Sequence, residues 1–280
     1  MIPVCVAIHD LCCYAKSSLT VVIPTLEALG VEVAPLPSAL LSTQTDGFDS
    51  YYFEHTHQAM VGVLDSWKSL ALDFDAIYTG FLGSSMQVHS IEQFIASQKS
   101  NHSPLVVIDP VLGDDGKTYG PVDDAMVKAM RSLVCHADVI TPNCTEAAIL
   151  LDRKLPSVFT DELALQWAGQ LSSMTKASVI ITSVQCEQGS AVAFHHEGKG
   201  SLINYEKLSY SYPGSGDLFA SILTGLLLGK ESFQTAVEET VRLSTLALQR
   251  THQSGYPRRH GIAPSLIMDE LVKDRKPYVS

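Results

Sequence analysis

The chain has 280 residues, 46% of them hydrophobic, and carries a formal net charge of −11 at pH 7. A chain of this kind buries roughly 75% of its unfolded surface, which argues against disorder and favours one domain over residues 1–280. The acidic balance, with no run of basic residues, disfavours nucleic acid and anionic membranes as partners.

The N-terminal stretch MIPVCVAIHD lacks the basic and long apolar segments of a secretory signal. No stretch approaches the ~18–20 apolar residues that span a bilayer. The cysteines show no CxxC spacing, and a chain of this size does not need disulfide bonds. We therefore expect a reduced, cytoplasmic protein.

Short β-rich runs alternate with helical patterns along most of the chain. The runs are VCVAI near 4, GVEVAPL near 30, AIYTG near 76, PLVVIDP near 104, DVITPN near 138 and SVIITSV near 178. The predicted helices between them cover 55–72, 84–100, 121–136, 145–152 and 160–175. This alternation is typical of an α/β fold with a parallel sheet and crossover helices.

The segment 36–54, LPSALLSTQTDGFDSYYFE, is rich in Ser, Thr and aromatic residues and has no clean helical period. Two interpretations remain open for it. It is either a flap over a small-molecule site or an ordinary surface connection with some strand content.

The C-terminal third has a different pattern. The stretch SAVAFHHEGKGSLINYEKLSYSY, which begins at Ser190, predicts an antiparallel hairpin around its Glu-Gly-Lys-Gly turn. An apolar helix follows in PGSGDLFASILTGLLLG. A second long helix near 232–250, a connection at 254–264 and a short helix at 265–273 complete the predicted elements.

The stretch GSGD places Asp217 at the start of the apolar helix. As a structural residue, Asp217 would cap the helix. Alternatively, Asp217 is a general base for a substrate hydroxyl, while the amides of residues 214–217 hold the transferring phosphoryl group at the positive end of the helix. Both interpretations are compatible with the sequence.

Two further stretches leave predicted strands through polar residues. IDPVLGDDGKTYGP supplies Asp109, Asp114 and neighbouring acids, which suit hydrated Mg²⁺ or form a solvated turn. In ITPNCTEA, Asn143 and Glu146 have the spacing of a capping box, and Glu146 could also hold a metal-bound water. In IITS, the hydroxyls of Thr182 and Ser183 could meet nucleotide phosphates or simply end a strand.

Five motifs together resemble the pyridoxal kinase branch of the ribokinase-like superfamily, in the same order and at similar spacing. They are TGFLGS at 79–84, IDPVLGDDGKTYGP, ITPNCTEA, IITS and PGSGDLFASIL. The resemblance implies a three-layer α/β fold, in which helices flank a mostly parallel central sheet and a small flap lies at one edge. It also implies a homodimeric enzyme that uses ATP and Mg²⁺ to phosphorylate the 5′-hydroxymethyl group of pyridoxal, pyridoxamine or pyridoxine.

The resemblance also assigns expected roles to individual residues. Asp217 matches the base, and the anion hole corresponds to Gly214, Ser215 and Gly216. Positions near the ATP phosphates and the cation are Asp109, Thr141 and Glu146, with Asp114 and Asn143 as further cation candidates. Nucleotide contacts match Thr182 and Ser183, and the loop over the phosphates matches Tyr119. The vitamer contacts match Asp10, Ser42 and Thr45.

Several residues depart from the family pattern near the expected ring site. The chain reads HDLCCYAK where the family often has a serine near Asp10 and glycines after it, and Phe81 stands where many members have a tyrosine. These departures leave the vitamer open. Cys12 or Cys13 could add to an aldehyde, although buried cysteines are usually inert. His9 is expected to be a strand-end histidine satisfied by a neighbour rather than a catalytic one.

Other functions remain as alternatives. Hydroxymethylpyrimidine kinases and sugar kinases of the same fold differ in the ring pocket, and a non-catalytic vitamer or nucleotide sensor would bind without turnover. A nicotinamide oxidoreductase is disfavoured, because the first predicted βα turn, VAIHDLCCYA, has no glycine to approach a pyrophosphate. A Walker-A motif is also absent from the sequence.

Overall fold

A computed structural model of the chain describes residues 2–156, 159–186, 189–206 and 208–273. Its strands are β1 Val4–Cys12, β2 Glu32–Leu41, β3 Phe53–His55, β4 Ala76–Thr79, β5 Leu105–Ile108, β6 Gly113–Asp114, β7 Lys117–Thr118, β8 Val139–Ile140, β9 Ser178–Cys186, β10 Gly189–His196 and β11 Lys199–Tyr205. Within the described residues, nine of them form one sheet, in the order β11-β10-β9-β8-β5-β4-β1-β2-β3, and β6 pairs with β7.

The middle of the large sheet is parallel, from β9 through β8, β5, β4 and β1 to β2. Antiparallel strands extend it at both sides, with β10 and β11 at one edge and β3 at the other. The helices are α1 Leu19–Ala28, α2 His57–Ser69, α3 Ser85–Asn101, α4 Asp124–Leu133, α5 Cys144–Leu150, α6 Asp161–Thr175, α7 Ser215–Leu228, α8 Phe233–Gln253 and α9 Met268–Lys273.

The helices cover both faces of the sheet and form two hydrophobic cores. Helices α2 to α6 pack on one face and α1, α7, α8 and α9 on the other. Alternate residues of β1 point into opposite cores, Val6 and Ile8 into the first and Cys5 and Ala7 into the second. The predicted three-layer, mostly parallel α/β fold is therefore confirmed.

One helix was not predicted. Helix α1 has the sequence LTVVIPTLEA, with Pro24 inside it, and its buried residues include Leu19, Val22 and Leu26. Its apolar face packs against α7 in the second core. The helices that the sequence predicts all lie within a few residues of observed helices. The predicted β10–β11 hairpin is also present, although its stretch runs through Lys207, which lies outside the described residues.

The segment 36–54 combines both interpretations offered for it. Its first part completes β2, and its last part enters β3, which pairs antiparallel with β2. Between these strands, the flap loop, defined as residues 42–52, leaves the sheet and reaches the cavity described below. The flap at one sheet edge is therefore built as a hairpin extension of the parallel sheet.

The parallel strands all end at the same edge of the sheet, as strands joined by crossover helices must. Asp109 directly follows β5, and Thr141 directly follows β8. The topology thus gathers the polar strand ends that the sequence presents separately. Within the described residues, the helices are too short or too polar to cross a membrane.

Candidate active site

A cavity of about 560 Å³ opens at this edge of the sheet. Among the predicted site residues, the cavity is lined by Asp10, Thr45, Phe81, Asp109, Asp114, Tyr119, Thr141, Asn143, Glu146, Thr182, Ser183, Gly214, Ser215, Gly216 and Asp217. Ser42 does not line it in the described structure. Its hydroxyl accepts a hydrogen bond from the Tyr52 N–H across the flap loop, so its contact with substrate stays a prediction.

The start of α7 faces the cavity without a side-chain cap. Gly214 is the N-cap residue and has φ of 81°, and Asp217 is the third residue of the helix. The helix-capping interpretation of Asp217 is therefore wrong. Helix geometry leaves the N–H groups of Gly216 and Asp217 without a partner four residues back. These amides, with the positive end of the helix dipole, form a place for an anion.

The glycine at position 214 is required by its surroundings. A Cβ there would lie 3.1 Å from the Lys16 carbonyl oxygen and 3.1 Å from a Val21 methyl group, in addition to the positive φ. Gly214 therefore lets the chain turn sharply into α7 beneath the cavity.

The Asp217 carboxylate has a hydrogen-bond donor and a further polar neighbour. The Ser18 N–H donates to Asp217 Oδ2 with an N···O distance of 2.8 Å. His9 Nδ1 lies 3.7 Å from Asp217 Oδ1. The Asp217 side chain is 13% exposed, so it remains accessible from the cavity. Ser18 itself has φ of 50°, a strained backbone conformation for a residue with a side chain.

Asp109 lies opposite the tip of α7. A Cβ added to Gly216 would lie 3.9 Å from Asp109 Oδ2, so the helix tip and this carboxylate face one another. The Thr141 hydroxyl donates to Asp109 Oδ1 at 3.2 Å. Burial, together with nearby Asp217, raises the pKa of the Asp109 carboxyl to about 8. A nearby cation would stabilise the ionised form of such a carboxyl.

Glu146 has the predicted structural role. The Asn143 side chain accepts from the Glu146 N–H and Glu146 Oε2 accepts from the Asn143 N–H, which completes a capping box. Glu146 Oε1 also accepts from the Leu112 N–H at 3.2 Å. Burial and Asp109 raise the pKa of the Glu146 carboxyl well above its usual range. The capping residue is thus also a buried acid on the cavity wall.

The acidic side chains fit a hydrated cation better than a fully protein-bound one. Within the described residues, no three His, Cys, Asp or Glu side chains are grouped to hold a metal ion. Mg²⁺ keeps several waters and needs only one or two carboxylates together with substrate phosphates. Asp109, buried and held by a single hydroxyl on Oδ1, fits that requirement. The Asn143 amide donates to the Gly113 carbonyl, so it also supports the neighbouring β6–β7 turn.

The expected nucleotide contacts Thr182 and Ser183 lie within β9, which continues to Cys186, so the interpretation that they end the strand is wrong. Ser183 is exposed, with φ of 59°, and Thr182 is bridged to Asn143, beyond the end of β8. The Tyr119 ring is 40% exposed over the same part of the cavity. Thr182, Ser183 and Tyr119 all line the cavity.

The expected ring end lies beside β1 and the flap loop. The buried Asp10 carboxyl accepts from the Ser18 hydroxyl and, at 3.2 Å, from the Cys12 thiol. Phe81 and Phe53 meet edge to face, with centroids 6.3 Å apart. Burial and Asp10 raise the pKa of the Cys12 thiol, so this thiol is a poor nucleophile at neutral pH. An aldehyde adduct at Cys12 is therefore disfavoured.

Known proteins combine this fold with this site. Residues 22–263 match the phosphomethylpyrimidine kinase family model. Human pyridoxal kinase is 30% identical over 277 residues, which cover 87% of this chain and 88% of the human one. The chain belongs to the pyridoxal kinase family.

Solved structures agree with membership of the pyridoxal kinase family. A Bacteroides thetaiotaomicron protein assigned as a phosphomethylpyrimidine kinase, crystallised with pyridoxal, has a TM-score of 0.90 at 36% identity and covers 97% of this chain and 96% of its own. Pyridoxal kinase from Lactobacillus plantarum has a TM-score of 0.90 at 29% identity, with 98% of both chains covered. The fold is therefore ribokinase-like.

In this member of the pyridoxal kinase family, the charged residues that line the cavity are acidic with one exception among the described residues. Among the described residues, Arg258 is the only lysine or arginine on the cavity wall. Arg258 Nη1 lies 2.6 Å from Asp46 Oδ2 on the flap loop. Gln44 donates to the Arg259 carbonyl at 2.9 Å, a second link between the same segments. An ion pair and a hydrogen bond thus connect the flap loop to residues 258–260, and we call this connection the latch. Sequence patterns did not predict a role for residues 258–260.

The Arg258–Asp46 ion pair gives a first prediction. Because an exposed pair contributes about 0.2–1 kcal/mol, Arg258→Ala is expected to raise the KM for the ring substrate by about 2- to 5-fold, with kcat within about 2-fold. The Arg258→Ala, Asp46→Ala double variant should resemble either single variant. Asp269→Ala removes an acid of another exposed ion pair and is the control. Strictly additive effects at positions 258 and 46 would contradict the latch.

Ser18 and His9 are the other residues missed as parts of the site. Ser18 links Asp217 and Asp10 through its N–H and its hydroxyl. The expectation that a neighbour satisfies His9 is wrong, because neither ring nitrogen has a hydrogen-bond partner. The dipeptide Ser17-Ser18 before an apolar run is an N-cap signal for α1, and Ser18 is the N-cap residue, although its side chain makes no capping hydrogen bond.

Proposed function

We propose that the protein transfers the γ-phosphoryl group of ATP to the 5′-hydroxymethyl group of a vitamin B6 vitamer, namely pyridoxal, pyridoxamine or pyridoxine. The observation that supports this most directly is the uncapped tip of α7, which presents Asp217 and free amides towards Asp109 in one cavity. An anion hole, a base and a cation-binding carboxylate are the parts that phosphoryl transfer needs.

In the proposed reaction, the vitamer hydroxyl oxygen attacks the γ-phosphorus as the bond to the ADP oxygen breaks. Asp217 accepts the hydroxyl proton, and Ser18 keeps the carboxylate in place through its N–H. The amides of Gly216 and Asp217 hold the oxygens of the moving phosphoryl group. The flap loop and Phe81 shield the ring end from water.

The choice of a B6 vitamer is supported by relatives that align with most of this chain. The human relative is a pyridoxal kinase, and the Bacteroides structure was crystallised with pyridoxal. A hydroxymethylpyrimidine is the second candidate substrate, because the matching family model is that of phosphomethylpyrimidine kinase. Both substrates present a hydroxymethyl group on a nitrogen heterocycle, so the same tip of α7 would serve either one.

We also propose Mg²⁺ as the cation, held by Asp109 and, through water, by Glu146, with Asp114 and Asn143 as weaker candidates. When bound, Mg²⁺ would neutralise charge on the ATP phosphates. Burial raises the pKa of both the Asp109 and the Glu146 carboxyls, which means that their ionised forms are poorly stabilised by the protein. A bound cation would stabilise those ionised forms, which supports this assignment. Burial also raises the pKa of the Asp114 carboxyl, which lies at the cavity rim.

Glu146→Gln gives a second prediction. The variant is expected to raise the Mg²⁺ concentration for half-maximal activity by about 10- to 100-fold, the usual effect of changing a group that orients a metal. The glutamine has one oxygen where Glu146 accepts from both the Asn143 and the Leu112 N–H groups, so one hydrogen bond is lost and Tm should also fall. Glu162→Gln in the first turn of α6 is the control. An unchanged Mg²⁺ titration would limit Glu146 to capping.

The function itself is tested by a substrate panel. Purified protein with ATP and Mg²⁺ would be assayed for ADP release with pyridoxal, pyridoxamine, pyridoxine, hydroxymethylpyrimidine and ribose. The proposal expects the highest kcat/KM with a B6 vitamer. Turnover of hydroxymethylpyrimidine alone would support the second candidate, and vitamer binding without turnover would indicate a sensor.

We also propose that the chain forms a single domain over residues 1–280, that it is a homodimer and that it is located in the cytoplasm. The thiols of Cys5, Cys12, Cys13 and Cys135, which form no disulfide bonds, support a reducing compartment. Size-exclusion chromatography with light scattering would test the homodimer.

A further inference from the structure

His9 is an unusual buried residue. It lies within β1, its side chain is 0% exposed, and neither Nδ1 nor Nε2 has a hydrogen-bond partner. Buried polar groups are almost always hydrogen-bonded, because leaving one unsatisfied is costly. An apolar residue of similar size would satisfy the packing at this position without that cost. The histidine therefore requires an explanation other than packing.

The surroundings of His9 direct one nitrogen at Asp217. Nδ1 lies 3.7 Å from Asp217 Oδ1, while the Ser18 N–H donates to Oδ2 of the same carboxylate. The Tyr78 ring meets the imidazole edge to face, with centroids 4.3 Å apart. Tyr78 thus fixes the plane of the ring against the core.

Gly80 makes room for this arrangement. A Cβ at position 80 would clash with Nδ1 and Cε1 of His9. The glycine in the TGFLGS motif thus permits the imidazole to occupy the space behind the base. His9 lies on β1, and Gly80 directly follows the neighbouring strand β4.

We propose that His9 is a positioning residue for Asp217. In its neutral form with the proton on Nδ1, the ring directs an N–H at Oδ1, and the carboxylate is held between this group and the Ser18 N–H. Hydrogen bonds of catalytic groups are often long before substrate binds and shorten in the complex, which suits the 3.7 Å separation. His9 touches neither substrate nor phosphate in this role. The inference rests on the proposed kinase function.

The test compares three variants of the full-length protein by kcat, by KM for pyridoxal and ATP, and by Tm. His9→Leu is expected to lower kcat by about 10- to 100-fold with both KM values within about 3-fold, because a misoriented base slows chemistry more than binding. Its Tm should rise or stay unchanged, since two unsatisfied nitrogens are removed. His9→Asn, whose amide occupies the place of Nδ1, should recover about 10-fold of the lost kcat.

His195→Leu is the matched control. Its Nδ1 is also buried without a partner, but the ring lies on β10 against Gly169 of α6, away from the cavity. This variant should keep wild-type kcat. The positioning role would be overturned if His9→Leu had the same kcat as wild type, or if His9→Leu and His9→Asn had the same kcat. It would also be overturned if neither variant folded. Wild-type protein that turns over no panel substrate would instead refute the proposed function.

Discussion

Asp217→Asn is expected to lower kcat by about 10²- to 10⁴-fold, the range that general bases contribute. The asparagine keeps the shape of the side chain and can still accept from the Ser18 N–H at the Oδ2 position. It cannot take a proton from the substrate hydroxyl. ATP affinity should stay within about 3-fold, because the amides of the α7 tip are unchanged. Steady-state kinetics and calorimetric titration of ATP would measure both quantities.

Asp124→Asn is the matched control for this substitution. Asp124 is also an aspartate in the first turn of a helix, α4, but it is exposed and does not line the cavity. A change at Asp124 tests any general effect of removing a negative charge near a helix N-terminus. If Asp217 is the base, Asp124→Asn should keep wild-type turnover and Asp217→Asn should lose almost all of it. Wild-type turnover in Asp217→Asn would remove Asp217 from the base role.

The parallel sheet was predictable because each strand carries its own signal. Buried runs such as VVI before Asp109 and VI before Thr141 are apolar throughout, and each ends in polar residues. Strands joined by crossover helices run in one direction, so their polar ends must meet at one edge. Local patterns and one topological rule therefore predict most of the cavity wall.

Helix α1 was missed because its local signals contradict its structure. Pro24 and several β-branched residues in LTVVIPTLEA disfavour a helix when it is judged by propensity. In the fold, the buried face of α1 packs on α7 and β1. Such packing contributes more to most protein helices than propensity does. Only the tertiary neighbours decide the structure of this segment.

The missed site residues share a different cause. The Ser18 and Asp217 pair is 199 positions apart in sequence, and the link from Gln44 to Arg259 spans 215 positions. No local spacing reports contacts of that kind. The backbone strain at Ser18 and the unsatisfied nitrogens of His9 are likewise properties of the folded chain alone. Sequence patterns predict which groups line the cavity, whereas the structure shows how they are held.

Asp109→Asn is expected to impair activity and to stabilise the ligand-free protein. The Asp109 carboxyl has a usual pKa of 3.8, which burial and Asp217 raise to about 8 in the fold. Between these values the folded state binds more protons than the unfolded state. Its free energy of unfolding therefore falls as pH rises from about 4 to 8, by up to roughly 1.4 kcal/mol per pH unit for one group. Asparagine cannot ionise and should remove this slope.

The measurement is chemical denaturation of wild type and Asp109→Asn at pH 5 and pH 8 without nucleotide or metal. The variant should be more stable at pH 8 by on the order of 1–3 kcal/mol, and the difference should shrink at pH 5. Its kcat/KM with Mg·ATP should nevertheless fall by about 10- to 100-fold, because the cation loses a ligand. A variant that is less stable at both pH values would contradict this assignment. A variant that is more stable but less active than wild type is expected when a buried acid serves catalysis and destabilises the fold.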